Sequence, residues 1–557
     1  MAGVALTTLA LSAGPSSQAQ SGRSLFGVVE PQNAPALASE LGVGWGRVRF
    51  NWAEVQPNGP DEWREAEITD AELANEWASG REVVGLLIGI PAWAVDERGL
   101  PRGLYAPPDS PDNTWGSYVR LAVSRYRGQI NHWVIWNEPD VWDPAHPGFT
   151  WPGTEADFAQ LLRVAYLVAR QENPDVVIHL GAMSHWWDAL YGRELYIRRL
   201  LRVLASDPGA VANNYYYDVL TLHLYFHPAG IYELIETYAA IQREFGLDKP
   251  IWLVETNAAP SGDPAWPVAS PTFDISLQEQ AAFMPQALAL ALAAGVQRIA
   301  IYKLIDTPGD YAANPEPFGL VRIDGSRRPA FTTARVAIDQ LAGAQRATWI
   351  DRGAVSRVVV EGTGWVTSVL WTRIPSPQEA IVPAASDSAV LYDMWGSAQT
   401  IWPTDGYYRV ALASGECQET VAEFCMIGGP PVYLVEEAGS GESAGSSAIT
   451  ASLSFAEASP DTSASATVPT IEPSPSPSST PTLTPTHTVT ATDTPTPSVM
   501  PTRTATPTTL LSITPTMSAS PAAPPAGFGA FVGMLIALAG AVAGVLVWWL
   551  HRWRKSS

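Results

Sequence analysis

The sequence predicts an α/β protein. The fold is a (β/α)8 TIM barrel followed by a small antiparallel β-sandwich, a disordered stalk and a C-terminal transmembrane helix. Three observations carry this expectation. Eight short apolar runs alternate with amphipathic helical patterns over residues 25–342. After about Gly343 the pattern changes to short runs split by turn residues, with no helical spacing between them. From 437 onward the composition turns to Ser, Thr and Pro, and the chain then closes on an uncharged apolar span.

The barrel elements follow in order. "LFGVV" (Leu25–Val29) is the first strand, "APALASELG" a short helix and "GRVRF" (Gly46–Phe50) the second strand. "EVVGLLIGI" (Glu82–Ile90) is the third, and a helix near "WGSYVRLAVSRYR" leads to "HWVIW" (132–136), the fourth. "EADFAQLLRVAYLVARQE" spaces its apolar residues as a long helix does, and "DVVIHLGA" (175–182) is the fifth strand. "DVLTLHLY" (Asp218–Tyr225) is the sixth, and the helix "YELIETYAAIQREFG" closes on Gly246. "PIWLVE" (Pro250–Glu255) is the seventh strand. The next helix opens with the capping pair Ser276 and Glu279 and stops at Gly295, a start and stop signature. "RIAIYKL" (Arg298–Leu304) is the eighth strand, and Pro329 begins a last helix. Several of these strands are apolar at nearly every position, as strands covered on both faces must be. A doubly wound open sheet is the competing arrangement, but these runs carry no phosphate-binding Gly-rich loop.

The sandwich, residues 343–436, contains "VSRVVVEG", "GWVTSVLWTR", "SAVLYDMWG", "GYYRVAL" and "PPVYLVE". Its two cysteines, Cys417 and Cys425, are the only ones in the chain. In an exported protein they would close a short disulfide loop. Residues 1–24 form a short apolar run followed by small residues, read as a signal-like or disordered start without a basic flank. Residues 437–526 are too polar and aromatic-poor to offset chain entropy and read as a linker. Residues 527–550 carry no charge, and at 1.5 Å per residue they would reach roughly 36 Å, enough to span a bilayer. The basic tail 551–557 belongs on the cytoplasmic side, which places the bulk of the chain outside the cell. The formal charge of −22 excludes a nucleic-acid partner, since phosphate binding needs a basic surface.

The chemistry lies at strand ends. In a parallel barrel, functional groups project from the carboxyl ends of the strands. Glu138 follows the fourth strand in "HWVIWNEPD", and Glu255 ends the seventh in "IWLVETN". Those two strands face each other across the barrel mouth, so their carboxylates meet in one cleft. Two opposed carboxylates are the minimum equipment for glycoside hydrolysis, one to donate a proton and one to attack. They cannot both ionise cheaply at close range, and this divides the roles. No metal or organic cofactor is implied. His223 and His227 are four residues apart but sit on a strand end, not a helix, and no Cys-x-x-Cys pair occurs. Asp140 and Asp306 read as loop or cap residues.

These motifs resemble those of the clan A glycoside hydrolases, retaining enzymes built on an eight-stranded barrel. The resemblance covers about residues 25–342. "WNEP" (Trp136–Pro139) is similar to their acid/base motif and "WLVET" (Trp252–Thr256) to their nucleophile strand. "RVRFNWAEVQP", "LHLY" and "PFGLVRIDGSRRPAF" resemble further segments of the family, and "VLYDMWG" its accessory β-domain. The resemblance implies that Glu138 is the general acid and then base, and that Glu255 is the nucleophile. It implies that Asn137 binds the sugar 2-hydroxyl, that Arg49 and Tyr225 support Glu255, and that His223 points into the site. Where the family often ends its eighth strand in a Trp, this chain offers Tyr302 and Lys303 in "IYKL". Tyr302 is expected as the sugar platform, and Trp93 and Trp52 either line subsites or serve as plain packing. The expected partner is a carbohydrate, with the membrane reached through the C-terminal helix. A surface protein that holds glycans without cleaving them, or a transglycosylase using the same carboxylates, would display the same residues.

Overall fold

The computed structural model describes residues 25–437 apart from 66, 147, 314 and 315. The N-terminal segment, the stalk beyond Glu437, the apolar span and the basic tail lie outside the described residues. Among those described, no helix is long and apolar enough to cross a membrane.

The barrel runs β1 (Phe26–Val29), α1 (Pro35–Leu41), β2 (Trp45–Asn51), α2 (Trp52–Val55), α3 (Asp70–Ala78), β3 (Glu82–Ile88), α4 (Thr114–Arg125) and β4 (His132–Asn137). It continues with α5 (Glu155–Glu172), β5 (Val177–Met183), α6 (Trp186–Leu190), α7 (Tyr196–Ser206), β6 (Val219–His223), α8 (Pro228–Glu244) and β7 (Ile251–Thr256). Then come α9 (Leu277–Ala293), β8 (Arg298–Ile301), α10 (Pro308–Ala313) and α11 (Pro329–Leu341). Neighbouring strands pair in parallel, and β1 pairs with both β2 and β8, so the sheet closes on itself.

Alternation along each strand divides the side chains between two cores. Val48, Phe50, Val83, Leu87, Trp133, Ile135, Leu253 and Ile299 face the helices. Trp45, Val84, Leu86, Val134, Ala182, Trp252, Val254 and Ala300 fill the barrel interior as a separate cluster. That interior is packed, as small barrels require. Gly27 shows how tightly: a Cβ there would sit 2.4 Å from the Trp45 ring. At the amino-terminal end of the interior, His132 Nδ1 and His179 Nε2 are 2.9 Å apart, and both rings pack on Trp252.

Helix starts follow their capping residues. Thr69 with Glu72, Thr154 with Asp157 and Ser276 with Glu279 form complete capping boxes ahead of α3, α5 and α9. α9 is buried over most of its circumference. An all-round apolar helix must be covered on both sides, and here the second domain provides the further cover. Gln286 on α9 donates to the Gly429 carbonyl at 3.0 Å and accepts from Gly428 N at 3.1 Å.

That domain contains a six-stranded antiparallel sheet in spatial order β14-β13-β18-β11-β10-β9. These strands are Ala398–Ile401, Ala389–Asp393, Val432–Glu437, Trp365–Thr372, Val355–Gly362 and Arg346–Arg352. The two-stranded antiparallel sheet of β12 (Gln378–Pro383) and β15 (Tyr407–Leu412) shares a small apolar core of Leu370, Val382, Tyr408, Val410 and Leu434 with it. A two-stranded β16–β17 loop (Thr420–Cys425) is closed by the Cys417–Cys425 disulfide. The loop docks on the start of α9, where Gln418 N donates to Glu279 at 3.0 Å and Ser276 Oγ donates to Glu416 at 2.5 Å.

Candidate active site

The site stands at the carboxyl ends of β2, β4, β6 and β7. Two local irregularities aim its acids. In β7, Trp252 faces the interior and Leu253 the helices, so simple alternation would send Glu255 outward. The pairing slips by one residue against both neighbours: Leu222 pairs with Leu253 but His223 with Glu255, and Leu253 pairs with Ile299 but Thr256 with Ile301. β7 therefore holds one extra residue, a β-bulge of the kind that re-aims side chains beside functional sites. Val254 and Glu255 both face inward, and Thr256 resumes the outer face. At the end of β4 the backbone does the turning. Trp136 has φ 75° and Glu138 φ 46°, conformations that cost a non-glycine residue on the order of 1–3 kcal/mol. The turn sends the Trp136 indole outward against Trp115 and Trp151, and Glu138 to the mouth.

His223, buried at the end of β6, bridges the two acids. Its Nε2 lies 3.0 Å from Arg47 Nη1, which can only donate. Nε2 therefore accepts, and the ring hydrogen is on Nδ1. That hydrogen is donated to Glu138 Oε1 at 2.8 Å, with Glu255 Oε2 3.4 Å away. One ligating atom from each of Glu138, His223 and Glu255 lies within 4.8 Å of the other two. Glu255 also accepts from Arg47 Nη2 at Oε1 and from the Tyr225 hydroxyl at Oε2. Burial pushes this carboxyl up, but Arg47, His223 and Tyr225 outweigh it and hold the group below the usual glutamate range.

This trio is a group of carboxylate and imidazole donors close enough for a metal ion. A divalent cation does not suit it, because Arg47 already supplies the positive charge and occupies both His223 and Glu255.

Several expectations are corrected. Arg49 does not support Glu255; Arg47 does. Both arginines lie on the inner face of β2, but the strand runs to Asn51. Arg47 is thus one layer deeper, 6% exposed and level with the acids, whereas the Arg49 side chain is 48% exposed and pairs with Glu67. Trp52 is wholly buried, stacked on Tyr118 at 5.0 Å, and walls no subsite. The other expected residues are distributed as follows. Asn137 lies partly exposed beside Glu138, opposite Ala182 of β5. Tyr302 meets Tyr225 and Phe318 edge-on at 6.2 and 5.6 Å. Trp93 is partly buried, donates to the Gln56 carbonyl at 2.6 Å and packs against Trp52. Lys303 is buried between Glu30 and Asp310.

Asp140 and Asp306 have structural work. Asp140 accepts from Ser184 N, Ser184 Oγ and His185 N ahead of α6. Burial, with Glu138 nearby, pushes its carboxyl up to about 7. Asp306 ties Arg328 and Gly319 N together. The residue that sequence reasoning missed is Arg47. A signal was present: of the two arginines in "RVRF", it stands farther from the strand's polar end, where only a buried anion can pair it.

A parallel eight-stranded barrel with paired carboxylates at the ends of its fourth and seventh strands defines the architectural class. No protein-family profile matches the chain, and no curated protein matches its sequence. Solved structures share the fold. A family 39 glycoside hydrolase from the gut symbiont Bacteroides cellulosilyticus WH2 aligns with a TM-score of 0.54 and 17% identity, over 75% of this chain and 82% of that one. A glucosidase from Croceicoccus marinus aligns with a TM-score of 0.50 and 14% identity, over 72% and 90%. At these identities the likeness is one of fold.

Proposed function

We propose that the chain is a retaining glycoside hydrolase acting on O-glycosidic bonds of oligo- or polysaccharides. The observation that carries the reading is the approach of the Glu138 and Glu255 carboxylates to within 4.8 Å. Double displacement uses carboxyl groups about 5–5.5 Å apart, whereas inversion leaves room for a water at roughly 6.5–9.5 Å. Glu255 attacks the anomeric carbon as an anion, the state that Arg47, His223 and Tyr225 favour. The glycosidic bond breaks, and Glu138 gives its proton to the departing oxygen. Glu138 Oε1 accepts from His223, so the proton that is passed on rides on Oε2. A water then attacks the glycosyl–Glu255 ester, its proton returns to Glu138, and Glu255 leaves as carboxylate.

Display at the cell surface is part of the proposal. It rests on the polar tract 437–526, the apolar span 527–550 and the basic tail. Truncation after Glu437 should move activity from the membrane fraction to the medium.

The test of the chemistry is a panel of aryl glycosides with Glu138→Ala and Glu255→Ala. Each variant should lose turnover. Azide should rescue both and give products of opposite anomeric configuration: retained for Glu138→Ala, inverted for Glu255→Ala. Full activity in either variant without azide defeats the assignment.

A further inference from the structure

The connection from β7 to α9, residues 257–276, leaves the barrel directly after Glu255 and Thr256. It touches the reacting groups at both of its ends. Asn257 is fully buried and donates from Nδ2 to the Tyr302 and Phe318 carbonyls at 2.7 and 2.6 Å. Its Oδ1 accepts from Gln280 of α9 at 3.4 Å. Phe273, near the other end, packs 5.1 Å from Phe226, and Phe226 lies 6.0 Å from Phe318. Phe318 in turn meets Tyr225 at 5.4 Å, and Tyr225 donates to Glu255.

The disulfide loop of the second domain holds the far end of this connection. Besides the bonds to Ser276 and Glu279, Glu419 Oε1 accepts from Asp274 N at 3.3 Å, so Phe273 stands one residue from a docked position. The dock is under opposed forces. Cys417 has φ 52° and Ala422 φ 54°, left-handed conformations that persist only where the surroundings impose them. Glu416, Glu419 and Glu279 bring three carboxylates to one contact. Burial first, and then the two loop charges, push the Glu279 carboxyl up against the opposing bonds from Ser276 and Gln418. The Cys425 arm is anchored in its own domain: its N donates to the Arg373 carbonyl at 2.8 Å, and the Phe424 ring centroid lies 3.8 Å from the Arg373 guanidinium. The Glu416–Glu419 arm carries the barrel contacts, and the disulfide ties it to the anchored arm. Cys417 is half-buried, so a small thiol can reach the bond.

We infer that the Cys417–Cys425 loop is a redox-set clamp on the active site. Closed, it holds residues 272–276 in place and, through them, the packing of Tyr225 and Tyr302 around Glu255. A dithiol reductant opens it. The Sγ–Sγ bond takes up two electrons and two protons to give two cysteine thiols, and the reductant closes its own disulfide. The acidic arm then lifts from α9 and turnover falls, and a small-molecule disulfide reverses the change. The effect on turnover rests on the glycosidase reading above; the clamp itself does not.

The experiment treats the full chain with dithiothreitol at a temperature where circular dichroism shows it folded, and counts the released thiols. With both cysteines reduced, kcat/KM on an aryl glycoside should fall about tenfold, inside the roughly hundredfold that a 1 Å displacement can cost. Its acidic limb should move to higher pH, because Tyr225 then holds the Glu255 anion less firmly. Oxidised glutathione should restore both. Glu416→Ala combined with Glu419→Ala undocks the loop and keeps the disulfide. That variant should show the lowered kcat/KM from the start and lose nothing further to reductant. An unchanged kcat/KM after full reduction, wild-type kcat/KM in the double variant, or a fall with the acidic limb left in place overturns the inference. Should wild type cleave no glycoside at all, the catalytic reading falls by itself. Hydrogen exchange then decides: faster exchange over residues 257–280 on reduction supports the clamp, and unchanged exchange there overturns it.

Discussion

Arg47 and Glu255 form a buried ion pair at the level of the barrel mouth, and Arg49, two residues along the same face of β2, takes no part in it. Removing one partner of a buried pair strands the other. Arg47→Met should therefore lower kcat/KM by on the order of 10²–10³, the size seen when a preorganised polar contact is lost from an active site. Arg49→Met should cost at most about a tenth of that effect, because its pair with Glu67 is partly solvated. Steady-state kinetics on one aryl glycoside decides. A larger loss in Arg49→Met would mean that the deeper arginine is merely structural.

Tyr225 tunes when Glu255 ionises. Its hydroxyl donates to Oε2, one of the contacts that hold the carboxyl below its ordinary range. With the hydroxyl gone, the anion is less favoured and the carboxyl pKa rises. The acidic limb of the kcat/KM profile should then move to higher pH in Tyr225→Phe. A charge-assisted hydrogen bond of about 1.5–3 kcal/mol corresponds to a shift on the order of one pH unit. A limb that stays in place would remove Glu255 as the group titrating there.

His132 and His179 make the barrel acid-sensitive. Burial, the first cause for each, lowers His132 to about 4 and His179 well below the usual imidazole value. Unfolded histidines titrate near 6.5. The unfolded chain thus takes up protons first as pH falls. Stability is complete above about pH 6.5 and is lost progressively as pH drops through about 4. His132 accounts for on the order of 3 kcal/mol of that loss. The paired replacement His132→Phe with His179→Leu should flatten the fall of Tm between these values. An unchanged slope would point to carboxylates instead.

The Cys417–Cys425 loop fastens the second domain to the first turn of α9. Opening a short disulfide loop typically costs about 2–3 kcal/mol. Cys417→Ser should lower the melting temperature, and reductant should lower that of wild type by the same amount while leaving the variant where it was. An effect of reductant on the variant would show that the disulfide is not its target.

The sequence made the strands legible where burial on both faces left uninterrupted apolar runs, as in "EVVGLLI" and "HWVIW". Their ends were read too long. The sixth and eighth runs continue as apolar sequence past His223 and Ile301, where ladder pairing stops. Glu138 and Glu255 were visible because a carboxylate after an apolar run needs a reason to be there. Which way Glu255 points was not visible, since period-two alternation argues against the direction that the bulge produces. The choice between Arg47 and Arg49 was legible only as depth along β2, where Arg47 stands farther from the polar end; which acid lies level with it depends on the stagger between strands. The burial of Trp52 depends on its stacking with Tyr118, a residue of α4 far along the chain.

The extra residue in β7 has a consequence for how such a protein could lose its activity. With Val254 kept and the bulge drawn out into a regular pleat, Glu255 would turn toward the surrounding helices. The barrel could still close through the same neighbours, but it would be chemically silent. Architecture and reactivity are thus separated here by a single slip of the ladder, and a homologue that kept every motif letter could still be a bystander.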